Sequence, residues 1–247
     1  MSTNAKPSGA DRLAEFRAGL DEREREDLEA QRRAALDALG ARARSASVYD
    51  ATRDALSRAE ARVQRHLAVL QPEDAIACHA GCSSCCYMKV AATAPEILFV
   101  AEHLRQHASE GELERIQTRA ARFSKDPQSR SQDTKIAARI PCPALTDAGA
   151  CGVYAARPIV CRGWTSTDAE SCERSLDDED ELPPIDMTLA RACGALELGL
   201  VTALAESNLQ SELIELTRGL DIALNEPLAL ERWLAGEPIF ASALADD

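Results

Sequence analysis

Aromatic side chains are scarce in this chain: four Phe, three Tyr and two Trp in 247 residues. An all-β barrel or sandwich leans on aromatic and β-branched side chains. Their shortage beside abundant Ala, Leu, Glu and Arg argues for helices instead. Positive charge is also short, with 28 Lys and Arg against 41 Asp and Glu and a net charge of −13. A chain this acidic is repelled by phosphate backbones, so nucleic acid is not an expected partner. No apolar run reads as long enough to cross a bilayer, and "MSTNAKPSGADRLAEF" carries no hydrophobic signal-peptide core. The expectation is a soluble, cytoplasmic protein with no membrane partner. A Gly-rich phosphate loop and internal repeats are missing too. Cysteine is absent before Cys78 and after Cys193, yet nine cysteines lie between. In a reducing compartment such a set points to metal binding or catalysis rather than to a disulfide framework.

That distribution divides the chain by chemistry into residues 1–72, 73–176 and 177–247. The first segment reads as helix. Leu13, Phe16 and Leu20 begin an apolar stripe, Leu28, Ala35 and Leu39 continue it, and Gly40 marks a break. Tyr49, Leu56, Val63 and Leu70 then recur every seven residues with Leu67 between, the pattern of a helical hairpin or coiled-coil arm. In the middle segment, "MKVAAT" reads as a short strand. Thr93, Pro95 and Glu96 announce a helix start, "GELERIQTRAARF" continues helical, and "SKDPQSRSQDTK" is polar and loop-like. The tail from 186 to 235 reads as helix, with Leu209, Leu213, Leu216, Leu220 and Leu224 on one stripe that Asn225 and Pro227 end. "DDEDE" at 177–181 reads as a solvated acidic linker. The expected fold class is therefore mainly α, a loop-rich cysteine module held between helical segments.

The first cysteine group is Cys78-x3-Cys82-x2-Cys85-Cys86, and the second is Cys142, Cys151, Cys161 and Cys172, separated by eight, nine and ten residues. Short spacings let one loop offer several thiolates to one ion at little closure entropy, and Gly81 permits the tight backbone this needs. Four plus four is the count for two tetrahedral sites, and equally for one cluster with spare thiols. Consecutive side chains in extended backbone point to opposite sides. Cys85 and Cys86 are thus expected to serve two metals, or two corners of a polynuclear centre. "TDAGA" reads as a turn between short extended pieces, and Arg157-Pro158 as a bend before Cys161. His79 is a further candidate ligand inside the first group. His66, His103 and His107 read as packing or surface residues without partners. Arg162 and Trp164, beside Cys161, are candidates for charge compensation and hydrophobic cover. Cys193 shares a stripe with Leu189, Leu196 and Leu200 and reads as a buried core thiol rather than a ninth ligand.

"CxxxCxxCC" followed by "CPAL…CGVY…RP…CR.W…C" resembles the YkgJ-type cysteine-cluster family, a zinc- or iron-chelating domain. The likeness runs from Cys78 to about Cys172. It implies that Cys78, Cys82, Cys85, Cys86, Cys142, Cys151, Cys161 and Cys172 are all metal ligands. Ala144 departs from the aromatic that often stands there in the family. A related domain occurs in flagellin lysine N-methylases, which combine a cysteine-rich centre with S-adenosylmethionine. The spacing Cys78-x3-Cys82-x2-Cys85 is also that of radical S-adenosylmethionine enzymes. Ser84 in place of an aromatic, the loop-like approach "VLQPEDAIA" and the lack of alternating strands and helices count against that last reading. The leading expectation is a protein chelating zinc or iron, the latter as ions or an iron–sulfur cluster. The alternatives are an iron–sulfur methylase-like enzyme and a docking protein that joins a partner, or itself, through its N-terminal helices around a structural metal.

Overall fold

A computed structural model describes residues 9–40 and 43–245. Eleven α-helices and one two-stranded ribbon make up its regular structure among the described residues, as a mainly α composition requires. In chain order the first elements are α1 (Gly9–Ala18), α2 (Glu22–Leu39) and α3 (Ser45–Leu67), then β1 (Ala91–Ala92), α4 (Ala94–His107), α5 (Glu110–Lys125) and α6 (Gln132–Ala137). After them come α7 (Ile159–Gly163), α8 (Ala169–Arg174), α9 (Met187–Glu206), β2 (Ile214–Glu215), α10 (Leu216–Asn225) and α11 (Ala229–Leu234).

Start signals sit where orphan N–H groups need them. Asp21 and Glu24 form a reciprocal capping box on α2, Ser109 and Glu112 do so on α5, and Asp186 caps α9 through the Leu189 N–H. Gly40 ends α2 at a positive φ of 66°, the expected break. Thr93, Pro95 and Glu96 open α4 as expected, but the Glu96 carboxylate does more than cap. It accepts from the Thr93 N–H (2.9 Å), the Thr93 hydroxyl (2.7 Å) and the Ile159 N–H (2.8 Å), and so ties the start of α4 to the start of α7.

The centre of the molecule is α9. α2, α3 and α7 all lie against it, and α10 packs on α4 and α5. α9 is the one described helix with the length and apolarity of a membrane span, 20 residues with a mean hydropathy of 1.4. That corrects the expectation that no run is long enough. Its apolar faces are taken up by protein, since it is the core helix that other helices cover. The heptad pattern in α3 is also used differently from a coiled-coil seam. The buried positions are Val48, Ala51, Ala55, Leu56, Ala59 and Val63, whereas Leu67 is exposed. Small alanines let α3 approach its neighbours closely, and α2 and α3 form a hairpin whose apolar face is spent on α9.

The 209–224 leucine stripe does not form one helix. Asn208 adopts a left-handed φ of 56° and ends α9, Leu209 and Leu213 lie in the connection, and only Leu216, Leu220 and Leu224 are helical. Between them, β2 pairs antiparallel with β1, Ala91 opposite Glu215 and Ala92 opposite Ile214. Ile214 also bridges Leu244, so this short ribbon anchors the exit of the first cysteine loop to the end of the chain. The end of the stretch expected as loop, "QDTK", begins α6. It buries Lys135, whose ammonium donates to the Met88 carbonyl (3.0 Å).

Candidate metal centre

Eight cysteines come together from five short pieces of backbone. Residues 78–86 wrap as two tight turns, the second a 3₁₀ turn over Ser84–Tyr87, with the Cys82 N–H donating to the His79 carbonyl (3.0 Å) and Cys86 to Ser83 (2.8 Å). Gly81, at φ 92°, supplies the left-handed backbone that this wrap requires. The Cys142 N–H then donates to the Cys86 carbonyl (2.7 Å), which joins the second cysteine segment to the first. The "TDAGA" turn appears as expected: Leu145 and Cys151 form an antiparallel bridge, with Gly152 donating to Ala144 (2.9 Å). Cys161 sits in α7 and Cys172 in α8.

The cysteines fall into two neighbourhoods, and each takes members from both halves of the sequence. Cys78 feels the charges of Cys82, Cys85 and Cys172, and Cys172 those of Cys82 and Cys85. Cys86 feels Cys142 and Cys151, and Cys161 feels Cys142, Cys85 and Cys151. The adjacent pair Cys85–Cys86 lies where the two groups meet, with Cys85 lining the cavities on both sides. In the outer group Cys78 and Cys85 are exposed and Cys82 and Cys172 half-buried; every member of the inner group is half-buried. Among the described residues, no three His, Cys, Asp or Glu side chains stand in ion-holding geometry.

Electrostatics define what would complete these groups. Burial pushes the Cys142 thiol up to about 11 and Cys161 well above its ordinary value, with neighbouring thiolates adding to the effect. Cys78, Cys151 and Cys172 are raised by burial too. Cys86 is raised and Cys85 lowered by the hydrogen bond between them, Arg157 also favouring the Cys85 thiolate. Thiols crowded so that each discourages its neighbour's ionisation are stabilised together by one cation, which binds thiolates and inverts the local preference. An all-sulfur donor set suits zinc and iron.

Several supporting groups are not those expected. Ser166, only 1% exposed, links the ends of the outer group. Its N–H donates to Cys78 Sγ (3.4 Å), its side chain holds down the Cys172 thiol, and its carbonyl accepts from the Ala77 N–H (2.9 Å). No sequence signal marks it. Arg162 donates to Glu60 (2.8 Å) and the Ala155 carbonyl (2.7 Å) rather than to a cysteine, and its charge reaches Cys151 and Cys193. Arg157 is the main counter-charge: it favours the thiolates of Cys85, Cys151 and Cys161, with its guanidinium 4.1 Å from the Tyr154 ring centre. Trp164 lines both cavities, in the covering position expected of it. His79 is exposed, with Nδ1 2.9 Å from the Ala80 carbonyl oxygen. His66, expected without a partner, has Nε2 2.7 Å from the Asp186 carboxylate. His103 and His107 stack on each other, ring centres 4.3 Å apart. Cys193 is fully buried on α9, as expected, and burial raises its thiol to about 12.

The inner cavity, about 350 Å³, also holds an orphan carboxyl: Glu197 of α9 is 7% exposed and its Oε1 has no hydrogen-bond partner.

Residues 77–179 match the model of the CxxCxxCC family, described as "putative zinc- or iron-chelating domain". No curated protein and no solved structure matches the chain. The CxxCxxCC region spans less than half of the chain and takes in all eight clustered cysteines, while α2, α3 and α9 lie outside it.

Proposed function

We propose that this chain is a two-site metalloprotein that binds zinc or iron through eight thiolates. Cys78, Cys82, Cys85 and Cys172 would hold one ion, and Cys86, Cys142, Cys151 and Cys161 the other. What supports the reading is how the other thiols sort about Cys85–Cys86: Cys78 and Cys172 lie beside Cys82, Cys86 and Cys161 lie beside Cys142 and Cys151, and Cys85, which reaches both groups, completes the outer four. Two Cys₄ sites account for every clustered thiol and leave Cys193 to the core. A bound ion supplies the positive charge that the crowded thiols require, and the connecting loops gain folding energy from it. Arg157 offsets the net negative charge of a dication held by four thiolates, Ser166 orients Cys78 and Cys172, and Trp164 gives both groups an apolar neighbour. Nine unpaired thiols suit a reducing compartment, and we place the protein in the cytoplasm.

The test is anaerobic purification without a metal-binding tag, followed by zinc, iron and acid-labile sulfide per chain and the visible spectrum. Two metal ions per chain without sulfide support the assignment. Iron with sulfide would replace two separate ions by a cluster and favour the methylase-like chemistry. A protein that stays folded and metal-free, with eight freely titrating thiols, refutes it.

A further inference from the structure

The outer and inner groups meet solvent differently. The outer group floors an open groove of about 650 Å³, into which Cys82, Cys85 and Cys172 face beside Trp164. Its charged lining is of one sign only: Asp133 and the run from Asp177 to Glu181, with no Lys or Arg. Two of these acids are neutralised from outside, Asp177 by Arg139 and Glu181 by Arg174. Asp133, Asp178, Glu179 and Asp180 have no ion pair among the described residues. The inner group lies in the smaller cavity with an apolar wall that includes Val90, Val153 and Leu216, and none of its four cysteines is exposed.

We propose that the outer group is an exchangeable site for a thiophilic divalent cation, loaded and unloaded through the acidic groove, and that the inner group retains its ion. This inference rests on reading the two groups as metal sites. An ion in the outer group is open to attack by an incoming ligand along the groove, where Cys85 is exposed. The inner ion is approached only through the smaller cavity, past half-buried thiols, Trp164 and an apolar wall. Loading is ligand substitution: sulfur–metal bonds replace metal–water bonds, thiol protons pass to water, and no electron is transferred. A cleft lined by one sign of charge focuses its field and raises the local concentration and on-rate of the opposite charge, by about 10–10³-fold. "DDEDE" thus acts as a metal entrance as well as a connection.

The experiment uses the full chain loaded anaerobically with cobalt(II), whose thiolate charge-transfer absorption counts bound ions. On mixing with excess EDTA, the absorption should fall in two phases of equal amplitude, the faster by about tenfold or more, the scale on which outer-shell groups tune metal sites. Cys172→Ser should lose one equivalent and the fast phase while keeping the slow one. A second variant leaves every thiol in place: Asp178→Asn/Glu179→Gln/Asp180→Asn should reload the emptied site about tenfold more slowly at low salt. That difference should shrink at roughly 0.5 M salt, where the Debye length is only about 4 Å. An equal charge change on α2, Glu22→Gln/Glu26→Gln/Asp37→Asn, should reload like the unaltered protein. Two bound ions leaving in a single phase, or reloading unaffected by the groove variant, would overturn this inference and leave the two-site reading standing. Failure to bind two ions would overturn both.

Discussion

Gly163 closes α7 two residues after Cys161, at the point where α7 meets α9. A β-carbon there would lie 2.7 Å from the Leu189 carbonyl oxygen, 2.7 Å from Cys193 Cβ and 2.8 Å from Cys193 Sγ. Side-chain rotation relieves only the last of these, so Gly163→Ala must push α7 away from α9. Overpacking of this kind costs about 1–3 kcal/mol. Helical Gly→Ala returns up to about 1 kcal/mol through propensity. With the full return the expected net loss is about 0–2 kcal/mol. Against a glycine with room for the β-carbon the deficit is about 1–3 kcal/mol, or about 2–12 °C in Tm at about 2–4 °C per kcal/mol for a chain of this size. Gly111→Ala is the control, because a β-carbon there meets nothing within 4 Å, and it should be neutral or slightly stabilising. Thermal unfolding of the metal-loaded protein followed by circular dichroism under argon makes the comparison. Adding Cys193→Ala to Gly163→Ala should recover only part of the loss, since the Cβ and carbonyl contacts remain. A Gly163→Ala protein as stable as Gly111→Ala would refute the packing argument and the tight α7–α9 seam with it.

Arg157→Gln removes the cation that favours the Cys85 thiolate, so alkylation of Cys85 by iodoacetamide in metal-free protein should slow near neutral pH, as peptide mapping would reveal. Burial, with Glu96 nearby, holds the Glu197 carboxyl well above its ordinary 4.5. The folded chain therefore keeps a proton that the unfolded chain releases, and this contribution is complete below 4.5 and lost as pH rises toward the folded value. Glu197→Gln should flatten that decline, read as urea midpoints from about pH 4 to about 7. A parallel slope in both proteins would show that Glu197 ionises freely. In Gly199→Ala a β-carbon would stand 2.5 Å from the Leu28 carbonyl oxygen and 2.9 Å from Gln31 Cβ, so α2 should loosen from α9 at a cost of about 1–3 kcal/mol. Faster amide exchange in α2, with residues 77–179 unchanged, would register this; unchanged exchange would contradict it.

Helix starts are legible in the sequence because caps are local chemistry: Thr93, Pro95 and Glu96 mark α4 without reference to the rest of the fold. The cysteine clustering is legible for the same reason. The association of Cys172 with Cys78 is not, because it depends on Ser166 and on where α8 lands. Arg162 is Cys161's neighbour in the chain, but successive residues of a helix point about 100° apart. α7 therefore directs Arg162 toward Glu60 while Arg157, from the preceding bend, faces the thiols. The leucine spacing from 209 to 224 fits a helix, yet pairing of Ile214 with Ala92 takes precedence over periodicity there. The heptad in α3 is real in sequence, but alanines carry the contact because small side chains at the seam let the helices approach closely.

The strap formed by α9 and β2 lies downstream of every clustered cysteine and has a consequence for synthesis. When Cys172 is added to the growing chain, 43 residues must still be made before Glu215 completes both α9 and the strand that pairs with Ala91–Ala92. At about 5–20 residues per second, the eight thiols wait about 2–9 s without the wall that closes the inner cavity. During that interval a metal ion, or an oxidant, meets a flexible set of thiols rather than two sorted groups. On the two-site reading proposed above, faithful metallation depends on α9 and β2 being made before the thiols are captured, which makes nascent chains, rather than mature protein, the form most vulnerable to mismetallation.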